Sequence, residues 1–495
     1  MQQALNPFDR DTGSDRIQSP YFILFLLLLL SLSAYITSKL GLIAGLALAI
    51  IPFVFVFLFF LFRNPILGFY TAIGFDFVLL GLARYVSNIP VGIALDAILI
   101  LVFIALIFNR FYQRVDWSPA KKDVTLLAII WLGYSVFELL NPEARSSAAW
   151  FSSRGAFSYM VMGIPLTLLL VDSNKKLDTF FLLWGIFSLL VSLKGVEQLF
   201  FGVDRWEQAW LDEGNYKTHI LFGKLRIFSF LSDAGQFGAN QGYSAVVAFI
   251  VSEAQKDKRK KLFFLIVAIF ALWGMMISGT RGAISIPLAG FATYSFLRKN
   301  IRVMFFGFLV LVGVFIFFKY TTLLQNNQQI RRMRTAFDPN DASLQVRIEN
   351  QRRLSTYLAS RPFGGGIGHG GVKAQRFLPN AYLSQVATDS GYVLVWVEMG
   401  IVGLMLFLFI LFYVVIKSSY RVMFRIRDPM LRLKMAALTS GMVGVMLANY
   451  GNAVLTQMPT SLLIYISMAL LMNSEQFDTP LSENSLILEN KKIQE

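Results

Sequence analysis

The chain has no cysteine, and it is poor in histidine and in charged residues. Without cysteine among its 495 residues, it forms no disulfide, no thiolate metal site and no cysteine nucleophile. Only His219 and His369 are present, which argues against a histidine-rich metal centre. Charged residues make up 15% of the chain, whereas a soluble protein has about a quarter. These shortages argue against a soluble enzyme of ordinary composition.

Apolar residues take the place of the missing charge. Hydrophobic residues make up 56% of the chain, 47 of them phenylalanine, and the mean hydropathy is +0.58. This composition indicates an all-α, polytopic integral membrane protein, for which we predict about 12–14 transmembrane helices. The candidate spans lie near residues 21–38, 41–62, 65–83, 91–109, 123–140, 154–171, 179–200, 238–253, 262–278, 282–297, 302–320, 391–416, 433–449 and 458–472.

The distribution of lysine and arginine predicts the orientation of these spans. The net charge of +15 does not require nucleic acid as a partner, because basic residues on cytoplasmic loops are the usual signature of membrane insertion. With a cytoplasmic N-terminus, every short inside loop holds a basic residue and the C-terminus is also cytoplasmic. The chain then divides into an N-terminal bundle of about 11 spans (1–320), a basic extracytoplasmic loop (321–390) and C-terminal helices with a cytoplasmic tail (391–495).

The large outer loop is unusually basic for its predicted location. Four acidic residues, Asp338, Asp341, Glu349 and Asp389, oppose nine basic ones: Arg331, Arg332, Arg334, Arg347, Arg352, Arg353, Arg361, Lys373 and Arg376. Insertion gives no reason to collect arginine outside, so the excess suggests a polyanionic ligand. Apolar residues at near-helical spacing predict a helix over Ser343–Ser360, and Gly364–Gly371 predicts a flexible turn.

Charged residues inside the predicted spans are concentrated near the outer surface. Asp96, Glu138, Glu398 and the pair Lys194–Glu197 lie in the outer part of their spans, and Asp76 alone lies near the middle. A transporter places such groups at the midplane, whereas an enzyme acting on a lipid headgroup places them at one interface. Two simpler interpretations remain open: Lys194 and Glu197 neutralise each other, and Glu398 is a hydrogen-bonding partner inside the bundle.

Three outer stretches combine arginine or carboxylate with a span boundary. Arg226 lies in the sequence RIFSF, Arg281 lies in the turn GTRGA at 279–283, and Asp389-Ser390 precedes the span that holds Glu398. Guanidinium groups stay charged at any pH and bind phosphate oxygens in pairs, so this placement suits a diphosphate at the membrane surface.

With these stretches the chain resembles the bacterial O-antigen ligase/polymerase family over roughly residues 91–472. The resemblance is carried by GTRGA, by RIFSF, by Arg347 in the large loop and by RPFGGGIG at 361–368. The family signature places a histidine eleven and fourteen residues before two glycines, which here are Gly400 and Gly403, and Asp389 occupies that histidine position. This departure favours a polymerase or another glycan-transfer member over the ligase type.

The resemblance implies a GT-C-like fold in the bacterial inner (cytoplasmic) membrane and a reaction on its periplasmic face. In that reaction a polyprenyl-diphosphate-linked glycan is the donor, a second glycan is the acceptor, and transfer is inverting, with no metal and no cofactor. The implied partners are these two glycans, membrane lipids, a chain-length regulator and a flippase of the same pathway. Two other functions stay open: ligase-type transfer to another acceptor, and a transporter or flippase of anionic glycolipids.

The hypothesis for the site has three catalytic and four substrate-binding residues. Asp389 is the base or its orienter, Arg281 and Arg226 bind the diphosphate, and the substrate-binding residues are Arg347, Arg154, Glu398 and His369. The alternatives are structural. Asp389 then caps the following span, Arg281 and Arg226 are interfacial anchors, and Arg347 lies on a solvated helix face. His369 is either a replacement for the missing family histidine or a flexible surface residue.

Overall fold

The computed structural model describes residues 20–85, 92–113, 115–221, 223–326, 328–335, 338 and 340–478. The predicted cytoplasmic termini therefore lie mostly outside the described residues.

The described chain is predominantly helical. Its α-helices are α1 (Pro20–Leu40), α2 (Leu42–Arg63), α3 (Pro65–Leu82), α4 (Gly92–Gln113), α5 (Asp123–Phe137), α6 (Ser147–Ser152), α7 (Gly155–Leu170), α8 (Asn174–Phe201), α9 (Arg205–Trp210), α10 (Tyr216–His219), α11 (Ala234–Glu253), α12 (Lys258–Ile277), α13 (Ser285–Leu297), α14 (Ile301–Tyr320), α15 (Gln328–Arg334), α16 (Ala342–Leu358), α17 (Tyr382–Gln385), α18 (Gly391–Phe424), α19 (Pro429–Ala448) and α20 (Thr460–Met472). The two short strands β1 (Ile220–Leu221) and β2 (Lys224–Leu225) form an antiparallel hairpin.

Each of the fourteen predicted spans corresponds to a helix. Among the described residues, seven helices are long and apolar enough to cross a bilayer: α3, α4, α5 with the turn after it, α8, α12, α18 and α19. Four further apolar helical stretches are shorter, at Leu48–Arg63, Gly155–Leu170, Met304–Tyr320 and Thr460–Met472. The protein is thus an all-α, polytopic membrane protein. Seven spans meet the length and composition criterion, compared with the 12–14 expected.

The chain forms two compact units, Met1–Pro65 and Ile66–Glu495. In the first unit α1 packs against α2. The second unit contains every predicted site residue and the entire basic loop. The predicted divisions at residues 320 and 390 are divisions of membrane topology, and they do not coincide with a boundary between compact units.

Helices α11, α19 and α20 form much of the core of the second unit. Every residue of α20 is buried, and α11 packs against both α12 and α19. Buried polar groups in this core bind each other: Gln241 Oε1 accepts from Ser188 Oγ at 3.1 Å and from Ser192 Oγ at 3.0 Å. Buried polar groups in a membrane protein need such partners, because lipid offers none.

The segments predicted to be inside meet at one end of the second unit, and those predicted to be outside meet at the other. At the inner end, Lys122 Nζ donates to Asn473 Oδ1 at 2.5 Å and Arg421 Nη1 donates to the Met472 carbonyl at 2.6 Å. The opposite end, here called the outer end, holds Arg226, Arg281 and Asp389. The separation agrees with the charge-based topology; which compartment each end faces stays a prediction.

The basic loop is folded onto the outer end. The predicted helix over Ser343–Ser360 is confirmed as α16, whose Leu354 and Leu358 are buried against Leu383, Val386 and Val397. These contacts hold α16 against the start of α18.

The turn predicted at Gly364–Gly371 is present, and it is bound to α18. Gly365 N donates to the Val397 carbonyl at 2.8 Å, and Gly366 N donates to the Glu398 carbonyl at 2.9 Å. Gly400 has φ +66°, and a Cβ there would clash with the Pro362 carbonyl oxygen. The glycines therefore allow the loop backbone to approach a break in α18 closely.

Candidate functional site

Arg226 follows the β1–β2 hairpin and points toward the GTRGA turn. Its backbone N–H donates to the His219 carbonyl at 2.7 Å, which closes the hairpin region. Its Nη1 donates to the Thr218 carbonyl at 3.0 Å and its Nη2 to Thr280 Oγ1 at 3.1 Å. All of these acceptors are neutral, so they orient the guanidinium without cancelling its charge.

The GTRGA turn is fixed to the start of α11. Thr280 Oγ1 donates to the Ala234 carbonyl at 2.7 Å, and Gly279 adopts φ +59°, which favours glycine. Arg281 follows at the first position of a short 3₁₀ turn. Its Nη1 lies 2.6 Å from Asp341 Oδ2 and donates to Thr335 Oγ1 at 2.9 Å.

A third arginine, Arg332, lies over the same turn. It belongs to α15, which is held by the fully buried Met333 in a cluster with Met275, Ala283, Ile284 and Phe318. A Cβ on Gly279 would lie 3.5 Å from Arg332 Cδ, so the Arg332 side chain crosses directly above the turn. Sequence reasoning counted Arg332 only as one of nine basic residues.

Arg226 and Arg332 line an open cleft of about 320 Å³, together with Leu221, Lys224, Leu225, Ile277 and Gly279. Burial lowers the pKa of Arg226, and the charge of Arg281 lowers it further. Burial also lowers the pKa of Arg332 to about 10, with Arg226 and Arg281 acting in the same direction. Asp233 raises the pKa of Arg226 and Asp341 raises that of Arg332, so carboxylates balance part of the positive charge of the three guanidinium groups. An anion at this place would balance the rest.

Asp389 lies at the other side of α16. Its Oδ2 is 3.4 Å from Arg347 Nε, and the carboxylate is about half exposed. Asn350 on the same helix donates to the Ala387 carbonyl at 3.4 Å. The structural alternative for Asp389 is wrong, because Ser390 is the residue that caps α18, with its side chain accepting from Val393 N. The carboxylate of Asp389 is therefore available for another role.

Helix α16 connects the arginine turn with Asp389. Asp341, which pairs with Arg281, also accepts from Leu344 N at the beginning of this helix. Arg347, which pairs with Asp389, comes six residues later, about 9 Å along a helix axis. The structure thus joins Arg281 and Asp389 through two ion pairs on one helix.

The turn at residues 449–455, between α19 and α20, contacts the start of α11, the GTRGA turn and the start of α18. The Asn449 carbonyl accepts from Gly391 N at 2.9 Å, and Gln236 Nε2 donates to the Ala453 carbonyl at 3.2 Å. A Cβ on Gly282 would lie 3.4 Å from Asn452 Nδ2. This turn has no charged residue and no motif, so its contacts with these segments were not predicted.

His369 is buried away from the arginine turn, and the expectation of a flexible surface histidine is wrong. Its Nε2 accepts from Ser146 N at 3.2 Å, and its Nδ1 lies 3.0 Å from the Ile367 carbonyl, the geometry of an Nδ1–H donor. Burial lowers the pKa of His369. With both ring nitrogens engaged, His369 holds the glycine loop in place, and its replacement of the family histidine stays a prediction.

Glu398 and Arg154 also have structural partners. Glu398 is buried, and its Oε1 lies 3.4 Å from Gly370 N, which agrees with the bundle-partner interpretation. Arg154 binds Asp96 through Nε at 2.6 Å and Nη2 at 2.5 Å, which joins α7 to α4. A substrate-binding role for either residue stays a prediction.

Lys194 and Glu197 form the predicted ion pair at 3.2 Å, and Lys194 Nζ is also 3.5 Å from Glu207. Asp341 was overlooked as a partner of Arg281. The signal was present, because it is one of only four acidic residues in the basic loop.

Comparison with known families gives one match, which covers the segment containing most of this site. Residues 266–408 match the family model Wzy_C, described as O-antigen ligase. A comparison with curated proteins gave no match. The matched segment includes Arg281, Arg332, Arg347, Asp389 and Glu398, and Arg226 lies before it. Residues 266–408 therefore carry an O-antigen ligase domain, and this match supports the resemblance of the chain to the O-antigen ligase/polymerase family.

Proposed function

We propose that the protein is a membrane glycosyltransferase that extends or transfers glycans carried on a polyprenyl diphosphate. The observation that carries the proposal is the convergence of Arg226 and Arg281 on the GTRGA turn at the outer end, beside an open cleft. Fixed cations at a membrane surface suit a lipid diphosphate, whose charge grows as it leaves the sugar. The match to an O-antigen ligase family supports the same class of reaction.

In the proposed reaction an acceptor hydroxyl oxygen attacks the anomeric carbon of the lipid-linked sugar. The new carbon–oxygen bond forms as the bond to the diphosphate oxygen breaks, and the electron pair of that bond leaves with the diphosphate. The hydroxyl proton passes to the carboxylate of Asp389. Attack from the face opposite the leaving group inverts the anomeric centre, and the guanidinium groups of Arg226 and Arg281 stabilise the departing charge.

Arg347 holds Asp389 in this proposal. Its Nε lies 3.4 Å from Asp389 Oδ2, so it orients the carboxylate. We favour chain extension over ligase-type transfer, because Asp389 occupies the position where the family signature has its ligase-type histidine.

The test uses the full-length purified protein in lipid nanodiscs with a polyprenyl-diphosphate oligosaccharide as donor. We expect longer glycans from the wild type and a decrease in kcat of about 100-fold or more in Arg281→Ala and Asp389→Ala. Arg352→Ala is the matched control for loop charge, because Arg352 is 78% exposed on the same helix as Arg347. It should extend glycans at the wild-type rate.

Two results contradict the proposal. One is absence of product from the wild type with several donor repeats and acceptors. The other is full activity in both Arg281→Ala and Asp389→Ala. Movement of an unmodified donor across vesicles that contain the protein, without bond formation, identifies a flippase instead.

A further inference from the structure

The cleft beside the GTRGA turn has more positive charge than the two predicted arginines supply. Arg332 reaches it from α15, and the exposed Lys224 reaches it from the hairpin. Leu221, Leu225 and Ile277 form the apolar part of the lining. A cleft with clustered cations and an apolar wall fits an anionic headgroup attached to a hydrocarbon chain.

Arg332 is costly to keep where it lies unless a ligand uses it. Its buried Nε and that of Arg226 have no hydrogen-bond acceptor among the described residues. The charge of Asp341 raises the pKa of Arg332, but Asp341 forms its ion pair with Arg281. A buried guanidinium donor without an acceptor carries a desolvation penalty, and two such donors at one cleft point to a shared anionic acceptor.

The neighbouring basic residues of α15 show that this position is specific. The buried Nε of Arg334 likewise has no acceptor among the described residues, but Arg334 does not line the cleft. Its Nη2 donates to Thr321 Oγ1 at 3.3 Å, and its guanidinium lies 5.3 Å from the centre of the Phe317 ring. Arg331 is exposed. Met333 anchors the helix between them, so Arg332 alone of the three arginines lies above Gly279.

We propose that Arg332 is a third phosphate-binding residue, delivered to the donor site by α15, and that it makes the cleft select a lipid diphosphate over a lipid monophosphate. Arg226 and Arg281 lie on the membrane side of the loop, whereas Arg332 approaches from the loop itself. A monophosphate carries its oxygens on one phosphorus atom, whereas a diphosphate spreads its oxygens and its charge over two and so reaches guanidinium groups that lie further apart. Because α15 belongs to the basic loop, docking of this loop and binding of the donor are then coupled. This inference rests on the proposed function for its donor class.

The experiment measures binding rather than catalysis. Full-length protein in nanodiscs is titrated with polyprenyl diphosphate and with polyprenyl monophosphate, neither carrying sugar. The variants are Arg332→Ala, Arg332→Lys and the control Arg331→Ala. We expect Arg332→Ala to weaken diphosphate binding by roughly 10- to 100-fold, and monophosphate binding by much less. Arg332→Lys should retain part of the affinity, and Arg331→Ala should bind both lipids like the wild type.

The inference is overturned if Arg332→Ala binds diphosphate as the wild type does, or loses affinity for both lipids equally. If Arg332→Ala fails to fold, Arg332→Lys and Arg332→Gln decide the same question. The transfer assay separates the two proposals. If Arg332→Ala extends glycans and binds diphosphate as tightly as the wild type, the role of Arg332 is refuted and the proposed function is not affected. If the protein selectively binds diphosphate but extends no glycan, the enzyme assignment is refuted and the binding site remains.

Discussion

Arginine residues at the outer end differ in what balances their charge. Arg154 faces the carboxylate of Asp96 at 2.5 Å, and Arg84 lies 4.5 Å from the Trp210 ring centre and donates to the Ser229 carbonyl at 2.7 Å. The acceptors that bind the Arg226 guanidinium among the described residues are neutral. Because a guanidinium paired with a carboxylate has less to gain from a second anion, Arg226 and Arg332 are better candidates for ligand binding than Arg154, and Arg281 must share its charge between Asp341 and the diphosphate.

His219 provides a prediction at the same scale about pH. Burial lowers its pKa below the usual 6.5, and the positive charges of Arg226 and Arg84 act in the same direction. The folded protein therefore keeps this histidine neutral at a pH where the unfolded chain takes up a proton. The stability contribution is complete above about pH 6.5 and is lost as the pH falls below it.

We expect His219→Gln to unfold with a smaller decrease in melting temperature between about pH 7.5 and pH 5 than the wild type shows. The measurement is thermal unfolding in detergent at several pH values. An equal decrease in both proteins would show that His219 does not contribute to the acid sensitivity.

At the scale of elements, α16 is the part that joins the two halves of the candidate site. Its N-terminal end reaches Arg281 through Asp341, its middle reaches Asp389 through Arg347, and its last turns are anchored by Leu354 and Leu358. Apolar anchoring at one end fixes a helix that is otherwise polar. Loss of the anchor should therefore disturb both ion pairs together.

Leu354→Ala tests this anchoring. Leu354 is completely buried, and its truncation should destabilise the docked loop by about 2–4 kcal/mol. Limited proteolysis should then cut within 342–358 faster than in the wild type, and glycan extension should decrease. Ile348→Ala is the matched control, because Ile348 is 44% exposed on the same helix. Equal cleavage of both variants would contradict the anchoring role of Leu354.

At the scale of the whole molecule, the charge pattern and the packing agree about which segments share an end. Segments with many basic residues meet at the inner end, where Lys434 Nζ lies 2.5 Å from Asp178 and Asn174 donates to the Phe477 carbonyl at 3.0 Å. The basic loop meets the opposite end. The positive-inside rule then predicts that this opposite end faces the periplasm.

The absence of native cysteine makes this topology directly testable. Arg352→Cys should react with a membrane-impermeant maleimide added to intact spheroplasts, because Arg352 is exposed on the loop predicted to be outside. Lys258→Cys, at the start of α12, should react only after the membrane is opened. The cysteine-free wild type is the control. The reverse pattern of labelling would invert the predicted orientation and move the candidate site to the cytoplasmic face.

The sequence by itself predicted the helical membrane architecture, the segments that meet at each end of the second unit and the resemblance to the O-antigen ligase/polymerase family. Hydropathy and the positions of lysine and arginine are properties of short segments, and membrane insertion depends on each segment in turn. Predicting the architecture from them therefore requires no tertiary information. The same is true of α16, whose apolar spacing predicted its bounds nearly to the residue. Arg226, Arg281 and Asp389 were selected from short motifs, and their roles stay proposals.

Only the tertiary structure decided which side chains face each other. Asp341 pairs with Arg281, Arg332 crosses Gly279, and His369 is sealed under the glycine loop; each contact joins segments far apart in sequence. Such contacts depend on how the helices pack and on where a buried Met333 or Leu354 holds a loop in place. The periodicity of residues along the chain does not determine that geometry.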